Sequence, residues 1–474
     1  MNATSNDLAH PRFSIFTDPT RKDALIMPVT SPHLTPGSRA RRRARNVAAA
    51  SLASGLALLG STMASPARAV APGAIQAFGS NTSGQLGNGT TTSSPQPDYF
   101  PVPAPVLNGA TDLSLVTAVS GGRAHSLALQ TSNTVRAWGR NGDGQLGNCS
   151  STDSPLPVTV GDNATCTTTL SQITDIDGGG NHSLAVKNND TVWAWGSNAS
   201  GQLGDGSTTS RSYAGQVKTN NTPTYLTGIT AASAGFDHSL ALKSDGTVWA
   251  WGDNTDGQLG DSTNTNSSYA AKVKTVGATC AATNADLSSV TEVAAGAGHS
   301  LALKSDGTVW AWGNNEEGQL GDGTTANQKC AVQVTDSMGN LTSVVHISAG
   351  WRFSVAVKSD GSVWAWGDNL YGQLGNNNVP NDSSVAVQVQ DAAGGNLSGV
   401  ASVSAGGHHT LAIKATSGAV SCWGRADHGE CGTAAGIIAG PPPYRTYYQP
   451  TAVPVVGVAA ATAVAGGGSH SLVL

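Results

Sequence analysis

Residues Gly296–Gly313 read GAGHSLALKSDGTVWAWG, and this stretch carries the pattern that decides the fold. Two segments, His299–Leu303 and Thr308–Trp312, alternate between apolar and small or polar residues, which is typical of β-strands. The residues between them, Ser305–Gly307, are a tight-turn sequence, so the two segments are predicted to form a β-hairpin. The apolar segment Val290–Ala295 predicts a strand before the hairpin, and the residues after the following GQLG motif can supply a fourth.

This unit occurs seven times along the chain. Each copy contains an aromatic–glycine pair followed by a variant of N-x-x-G-Q-L-G, and successive pairs lie 54 to 61 residues apart. The aromatic residues of the seven pairs are Phe78, Trp138, Trp195, Trp251, Trp312, Trp366 and Trp423. Four short strands in a repeat of this length are typical of a propeller blade. We therefore predict an all-β fold, a single seven-bladed β-propeller of four-stranded blades over residues 70–474.

Both ends of the repeat region lie in the middle of a repeat. Residues Ala74–Gly79 match the second strand of the hairpin, and residues His470–Leu474 match the first strand. Pairing of these N- and C-terminal strands would complete the seventh blade and would leave no open sheet edge. The sequence therefore predicts a ring that is closed by its own termini.

Residues 1–69 have the three parts of an export signal. Ser38–Arg45 (SRARRRAR) is strongly basic, Val47–Ala64 carries no charge, and Ala67–Ala69 fits a small-x-small cleavage site. The alternative is a membrane anchor, because the uncharged run reaches the lower length limit for a span. Its Gly, Ser and Ala content makes it only weakly apolar, which favours cleavage. We expect an exported, secreted or cell-envelope protein of bacterial type that is not inserted in a membrane after cleavage.

The charge of the remaining chain argues against nucleic-acid partners. Residues 1–69 contain nine of the 25 Lys and Arg residues and three of the 30 Asp and Glu residues, which leaves 16 basic and 27 acidic residues from Val70 onward. Binding to a phosphate backbone requires clustered basic side chains. Because the chain from Val70 onward is acidic, we do not expect it to bind nucleic acid.

Six cysteines lie in the predicted propeller, namely Cys149, Cys166, Cys280, Cys330, Cys422 and Cys431. An even number of cysteines in an exported protein favours disulfide bonds. Local spacing suggests Cys149–Cys166 and Cys422–Cys431, which leaves Cys280–Cys330. Metal binding is disfavoured because the cysteines do not have zinc-site spacing.

The repeated polar and aromatic residues have structural interpretations. Six histidines occupy one slot of the repeat, namely His125, His182, His238, His299, His409 and His470, and Phe353 occupies it once. A catalytic or metal-binding role would require six separate sites, so we expect a hydrogen bond that fixes the turn before each strand. Ten of the eleven tryptophans lie in V-W-A-W-G strands and are expected to pack between blades, while the glycines of the G-Q-L-G and A-G motifs are expected to have positive φ. No catalytic set, metal set or cofactor motif is identified, so we expect no enzymatic activity and no cofactor.

Residues that depart from the repeat are the candidate binding residues. In a four-stranded meander the first and third turns lie on one face, so fourteen variable residue pairs ring that face. Two aromatic pairs belong to one blade, Trp351-Arg352 and Leu370-Tyr371. The other candidates are Phe236, Asp237, Arg123 and His408. Trp, Tyr and Arg dominate binding hot spots, which favours a protein-binding patch; the alternative is that Trp351 folds down over a neighbouring blade.

The combination of W-G-x-N-x-x-G-Q-L-G with A-G-x-x-H-S-L-A-L resembles the regulator of chromosome condensation repeat family, over about residues 74–474. The resemblance implies a seven-bladed propeller. The exported bacterial β-lactamase inhibitors of this family resemble this chain most in their export and in their number of blades. Their aromatic turn residues plug a partner enzyme, which by resemblance implies contact roles for Trp351, Phe236, Tyr371 and Arg352.

Two functions of different classes follow. The first is an exported, non-enzymatic propeller that binds a protein through turn residues on one face and inhibits an extracellular enzyme. The second is a structural or adhesive cell-envelope protein that binds glycan through loops rich in Asn, Thr and Ser, such as Asp261–Ser268. Guanine-nucleotide exchange, the activity of the nuclear members, is a distant third because export and the acidic body disfavour it.

Overall fold

The computed structural model describes residues 73–91, 99–220, 224–275, 285–432, 437–439, 446–458 and 460–474. These residues form β-strands, turns and loops, and none of them lies in a helix. Accordingly, the described part of the chain contains no helix with the length and apolar character of a membrane span. The predicted leader, residues 1–69, and its boundary with the propeller lie outside the described residues and stay predictions.

The described strands form eight sheets, of which seven are the blades of a ring and the eighth is a separate two-stranded hairpin. In chain order the strands are β1 (Gln76–Ser80), β2 (Tyr99–Pro105), β3 (Leu107–Asn108), β4 (Thr111–Asp112), β5 (Val116–Gly121), β6 (His125–Gln130), β7 (Val135–Gly139), β8 (Ser154–Thr159), β9 (Ile173–Gly178), β10 (His182–Lys187), β11 (Val192–Gly196), β12 (Arg211–Gln216), β13 (Ile229–Ala234), β14 (His238–Lys243), β15 (Val248–Gly252), β16 (Ser267–Lys272), β17 (Val290–Ala295), β18 (His299–Lys304), β19 (Val309–Gly313), β20 (Gln328–Gln333), β21 (Thr335–Asp336), β22 (Gly339–Asn340), β23 (Val344–Ala349), β24 (Phe353–Lys358), β25 (Val363–Gly367), β26 (Ser383–Gln388), β27 (Val400–Ala405), β28 (His409–Lys414), β29 (Val420–Arg425), β30 (Ile437–Ala439), β31 (Thr446–Pro454), β32 (Val464–Gly466) and β33 (His470–Val473).

Blades 1 to 4 contain β5–β8, β9–β12, β13–β16 and β17–β20. Blade 5 contains β23–β26, and blade 6 contains β27, β28, β29 and β31. Strands β32, β33, β1 and β2 form blade 7. The first strand of each blade is innermost and contacts the first strands of its two neighbours around the ring. The fold therefore confirms the predicted all-β, seven-bladed propeller.

The two chain ends close the ring as predicted. Strand β1 pairs with β33 in the register Gln76↔Val473 and Gly79↔His470, and β33 also pairs with β32. Blade 4 has the equivalent register within one continuous hairpin, with Gly313 opposite His299. The termini therefore reproduce the central hairpin of an ordinary blade, which leaves no sheet edge open between blades 7 and 1.

Repeated histidines, serines, glutamines and tryptophans connect neighbouring blades at most of the junctions. Between blades 3 and 4, His238 Nε2 lies 2.9 Å from Ser300 Oγ, and Ser300 donates its hydroxyl proton to the backbone oxygen of Gln258 at 2.9 Å. The indole N–H of Trp312 donates to the same oxygen at 2.9 Å. The equivalent histidine–serine pairs are His125–Ser183, His182–Ser239, His299–Ser354, His409–Ser471 and His470–Ser126. The histidine bond thus joins two blades and does not fix the histidine's own turn, which corrects the expectation from the sequence.

The A-G glycines also have a different role from the predicted one. Gly235 does not have positive φ, and a Cβ atom added to it would lie 2.3 Å from Cε1 of the His238 ring. These glycines are therefore required for close packing against the histidine. The G-Q-L-G glycines do have positive φ, for example +85° at Gly257 and +64° at Gly260, as predicted.

One blade junction lacks the histidine. Phe353 occupies the slot in blade 5, and the residue opposite it in blade 6 is Thr410, whose Oγ1 is buried without a hydrogen-bond partner. The tryptophan bond persists there, because the Trp423 indole donates to the Gln373 backbone oxygen at 2.9 Å. The junction between blades 5 and 6 therefore keeps one half of the connection and contains an unsatisfied hydroxyl.

Replacing this hydroxyl is expected to stabilise the protein. Thr410→Val removes the unpaired Oγ1 at nearly constant volume, so we expect the free energy of unfolding to rise by about 1 kcal/mol. Ser354→Ala, at a junction with a histidine, is the matched control and is expected to lower it by about 1–3 kcal/mol. Denaturant titration of the three proteins measures both changes. A loss of stability in Thr410→Val would contradict the assignment.

The tryptophans of the V-W-A-W-G strands divide into two groups. The second tryptophan is fully buried between blades in six copies, namely Trp138, Trp195, Trp251, Trp312, Trp366 and Trp423. The first is half-buried, and a lysine amino group lies over its ring, for example Lys187 over Trp193 at 4.1 Å and Lys358 over Trp364 at 4.2 Å. The predicted packing between blades is thus confirmed in full for the second tryptophan of each strand, and only in part for the half-buried first tryptophan.

Two predicted disulfide bonds are present, Cys149–Cys166 and Cys422–Cys431. Cys422 and Cys431 occupy positions that hold alanine and leucine in most other blades. The third predicted bond, Cys280–Cys330, involves Cys280, which lies outside the described residues.

Candidate functional site

The first and third turns surround one mouth of the central channel. The inner strands and the first turns enclose a cavity of about 830 Å³, whose lining includes Arg123, Phe236 and Trp351. A contact between Arg352 in the first turn of blade 5 and Glu317 in the third turn of blade 4 places both kinds of turn together. The geometry therefore agrees with the prediction that these turns share a face.

Four aromatic side chains from three blades meet at this mouth. The ring of Trp351 lies edge-on to Phe236 with centroids 6.1 Å apart, and edge-on to His408 at 4.9 Å. Tyr371 lies edge-on to the other side of His408 at 5.2 Å. We call Phe236, Trp351, Tyr371 and His408 the mouth cluster. Edge-to-face geometry of this kind is favourable for aromatic pairs.

Small residues in the neighbouring first turns make room for these rings. A Cβ atom at Gly407 would lie 2.9 Å from Cε2 of Trp351, and one at Gly180 would lie 3.0 Å from Cγ of Phe236. Phe236 and Trp351 come from blades 3 and 5, so their contact passes in front of blade 4, whose first turn is only Ala297-Gly298. The mouth cluster therefore lies over the channel because first turns with large side chains alternate with first turns that carry only small residues.

The surroundings of Trp351 bear on both interpretations of this residue, as part of a binding patch and as a side chain folded over a neighbouring blade. Its ring lies over Gly407 and His408 of the next blade, as the alternative of a folded-down tryptophan requires. All four side chains of the mouth cluster nevertheless stay half-buried, and the adjacent Leu370 is 55% exposed. The tryptophan is thus packed on one side and accessible on the other.

Three arginines surround the mouth cluster. The guanidinium of Arg123 lies 5.3 Å from the Phe236 ring centroid, and that of Arg425 lies 5.3 Å from the Tyr371 centroid. Arg352 is exposed and donates to Glu317 at 3.1 Å. Cation–π contacts of this geometry hold the guanidinium groups against the rings.

The ionisable groups at the mouth have altered proton affinities. Burial, with the charges of Arg425 and Arg352, lowers the pKa of His408 to about 4, so its ring is neutral at pH 7. Burial and the neighbouring carboxylates Asp253 and Asp143 raise the pKa of Asp237. Because the His408 ring is neutral, the mouth cluster is an apolar and uncharged surface at pH 7.

All eight candidate partner-binding residues lie at this mouth, and their role in binding stays a prediction. Arg123, Phe236, Asp237, Trp351, Arg352 and His408 come from first turns, and Leu370 and Tyr371 come from a third turn. The variable pairs of the repeat do not include Arg425, because it lies in the slot directly after W-G. Its departure from the Ser, Asn or Asp found in most blades was the available signal.

The channel wall is built from polar side chains that connect blades. Asp177 accepts from Ser120 in blade 1 at 2.7 Å and from the backbone N–H of Ala234 in blade 3 at 2.9 Å. Buried Glu292 of blade 4 pairs with His346 of blade 5 at 2.6 Å. Buried carboxylates in a cavity can indicate a catalytic site, but here each of them binds a neighbouring blade, which gives them a structural role.

One group of ligand-type side chains lies beside the mouth in blade 6. Asp427, His428 and Glu430 bring potential metal-ligand atoms within 4.8 Å of one another. Both carboxylate oxygens of Asp427 already accept from Arg425, at 2.6 and 2.7 Å. Hydrogen bonds to Asp427 and Glu430 raise the pKa of His428 to about 9, so the imidazole is protonated at pH 7. A protonated ring and an arginine partner favour an ion-pair network over a metal site.

Known proteins resemble this chain in sequence. A 29% identical relative, the ultraviolet-B receptor UVR8 of Arabidopsis thaliana, aligns over 364 residues, which are 76% of this chain and 74% of the receptor. The human probable E3 ubiquitin-protein ligase HERC6 is 32% identical over 67% of this chain, but the chain spans only 29% of that protein.

Solved structures share the fold. Human WBSCR16 superposes with a TM-score of 0.67 at 22% identity, covering 85% of this chain and 98% of that structure. Prp20p of Saccharomyces cerevisiae superposes with a TM-score of 0.64 at 21% identity, covering 85% and 91%. At these identities the likeness concerns the fold alone.

The model of the regulator of chromosome condensation (RCC1) repeat matches six segments, residues 72–129, 133–186, 189–242, 245–303, 306–357 and 360–413. These segments cover more than half of the chain, and each of them contains one of the aromatic–glycine pairs described above. The resemblance predicted from the motifs is confirmed, and this chain belongs to the RCC1 repeat family.

Proposed function

We propose that this protein is an exported, non-enzymatic propeller that binds a protein partner through the mouth cluster, and that this binding inhibits an extracellular enzyme. The observation that carries the proposal is the meeting of Phe236, Trp351, Tyr371 and His408 at one mouth, beside exposed Leu370 and Arg352. Aromatic and arginine side chains grouped on a rigid scaffold are the residues that dominate protein interfaces.

Relatives support a protein-binding function of this kind. The structure of Prp20p is described together with its binding to Gsp1p and histones, and another structure contains Kap60 bound to yeast RCC1 (Prp20). Those partners belong to those proteins. The likeness supports partner binding as a class of function for this chain, and export and inhibition rest on the sequence pattern of residues 1–69 and on the mouth cluster.

The test is capture of a partner from secreted and cell-envelope fractions with the full chain and with Trp351→Ala. Loss of the indole is expected to weaken partner binding by about 2 kcal/mol or more, which is about 30-fold in Kd. Trp364→Ala is the matched control, because Trp364 is a half-buried tryptophan of the same blade that packs against the core and not at the mouth. Mass spectrometry identifies the captured protein.

Equal capture by Trp351→Ala and the unmodified chain would contradict the proposal. A large loss of melting temperature in Trp351→Ala without loss of capture would assign the tryptophan to packing alone. Recovery of glycan without a protein would favour the cell-envelope alternative.

A further inference from the structure

Charge is distributed unevenly around the mouth cluster. The first and third turns and adjoining positions of blades 3 and 4 carry the carboxylates Asp237, Asp253, Asp256, Glu316 and Glu317. The arginines lie on the other side, in blades 1, 5 and 6, where they contact rings or form ion pairs. The mouth is therefore apolar at its centre and acidic on the side of blades 3 and 4, whereas on the opposite side the arginines are accompanied by the carboxylates Asp143, Asp368 and Asp427.

Several of these carboxylates are held in place by neutral groups. Asp237 accepts from the amide of Gln202 at 2.9 Å, and Asp253 accepts from the amide of Gln258 at 2.7 Å. Asp256 accepts from the amides of two asparagines, at 3.1 and 2.9 Å. Neutral amides orient a carboxylate without cancelling its charge, so the acidic side attracts cations from a partner.

The acidic side is continuous with the mouth cluster. Asp237 directly follows Phe236 in one turn, and the Asp253 and Asp143 charges act on Asp237. On the neighbouring blade, Glu317 contacts Arg352, which directly follows Trp351. A segment whose apolar side chain contacts the cluster would therefore place its next residues beside carboxylates.

We propose that the mouth cluster and the carboxylates of blades 3 and 4 together bind a segment of the protein partner that carries lysine or arginine next to an apolar side chain. This inference rests on the proposed function and specifies the chemistry of the partner. The apolar side chain packs on Phe236 and Trp351, and the cation faces Asp237 and Asp253. An acidic partner segment would meet repulsion at the same place.

The test uses a phage-displayed random peptide library selected on the full chain, followed by measurement of Kd with labelled peptides from the enriched set. The variant removes three charges at the mouth, with Asp237→Asn, Asp253→Asn and Glu316→Gln. The control removes three charges from exposed second turns on the opposite face, with Asp245→Asn, Asp306→Asn and Asp360→Asn. Both proteins have the same net charge, so a difference between them reports position.

We expect enriched peptides in which Lys or Arg neighbours an aromatic residue or leucine. The mouth variant is expected to bind them about 10-fold more weakly, the control within about 2-fold, and added salt is expected to reduce the difference. Enrichment of acidic or uncharged peptides, equal affinity for both variants, or no enrichment would overturn the inference. If partner capture still depends on Trp351 in that case, the proposed function stands alone; loss of both results overturns both.

Discussion

Deletion of residues 470–474 is expected to prevent formation of a stable ring. The deletion removes strand β33, which pairs with β1 on one side and β32 on the other. It also removes Leu472 and Leu474 from the core that blade 7 shares with blade 1. Burial of two leucines contributes about 3–6 kcal/mol, before the loss of two strand pairings is counted. That sum is a large part of the 5–15 kcal/mol that stabilises a typical native protein.

The measurement is thermal unfolding followed by circular dichroism and by binding of an apolar dye. We expect the truncated chain to lose its cooperative transition and to expose apolar surface at temperatures where the full chain is folded. A melting temperature equal to that of the full chain would show that the terminal pairing does not hold the ring together.

A circular permutant is the matched control, because it keeps every residue of the propeller. Five residues separate Leu303 from Val309 in blade 4, and joining Leu474 directly to Val70 places five residues before Ile75. Opening the chain between Asp306 and Gly307 moves the break to an exposed second turn. We expect this permutant to fold. The hairpin of blade 7 becomes continuous, and the new N- and C-terminal strands, β19 and β18, pair with each other in blade 4.

Acidification below about pH 6 is expected to unfold the propeller through its repeated histidines. Burial lowers the pKa from 6.5 to about 3 for five of them and to about 4 for the sixth; they are His125, His182, His238, His299, His409 and His470. In the folded state Nε2 of each ring donates a hydrogen bond to a serine, and Nδ1 is buried without a hydrogen-bond partner. A proton added at Nδ1 would therefore have no acceptor, so the folded state requires the neutral ring. An unfolded chain has no such restriction.

The sign of the pH effect follows from these values. Because the pKa is lower in the folded state, the unfolded chain takes up more protons between pH 3 and 6.5. The histidine contribution to stability is therefore complete above about pH 6.5 and is lost as the pH falls. Each histidine contributes a slope of about 1.4 kcal/mol per pH unit within that window. Six sites together exceed any other electrostatic effect identified in the fold.

Other groups reduce this slope or act elsewhere. Burial raises the pKa of Asp175 to about 7 and also raises the pKa of Asp177, so both carboxyls favour the folded state as the pH falls and offset part of the histidine slope. His428, with its pKa raised to about 9, contributes stability that is complete below pH 6.5 and is lost as the pH rises through 9. We therefore expect maximal stability near pH 6.5–7 and a steep acid limb.

Denaturant titration over a pH series measures this slope. His238→Phe is the informative variant, since Phe353 already occupies the same slot in blade 5. Compared with the unmodified chain, the variant is expected to have a free energy of unfolding about 1–2 kcal/mol lower at pH 7.5. The slope of this free energy against pH on the acid side is expected to fall by about 1.4 kcal/mol per pH unit, the contribution of one histidine. An unchanged slope, or stability that does not fall between pH 7 and 5, would refute the assignment of acid sensitivity to the histidines.

Much of the site was predictable from the sequence, but its geometry was not. The repeat register placed Trp351 and Arg352 in a first turn and Leu370 and Tyr371 in a third turn, because the chain pattern fixes which turns share a face. The contact between Phe236 and Trp351 involves blades that are not neighbours. It depends on how far each ring extends over the channel and on the space left by Gly180 and Gly407.

The sequence by itself determined the blade count, the strand order, the closure by the termini and two disulfide pairs, because each depends on local periodicity or short spacing. Only the tertiary structure decided what the repeated residues bind. His238 contacts Ser300, a residue 62 positions away in the next blade, and no local pattern encodes that partner. The same holds for the mouth cluster and the channel wall, where side chains distant in sequence meet because seven similar blades turn their first strands toward one axis.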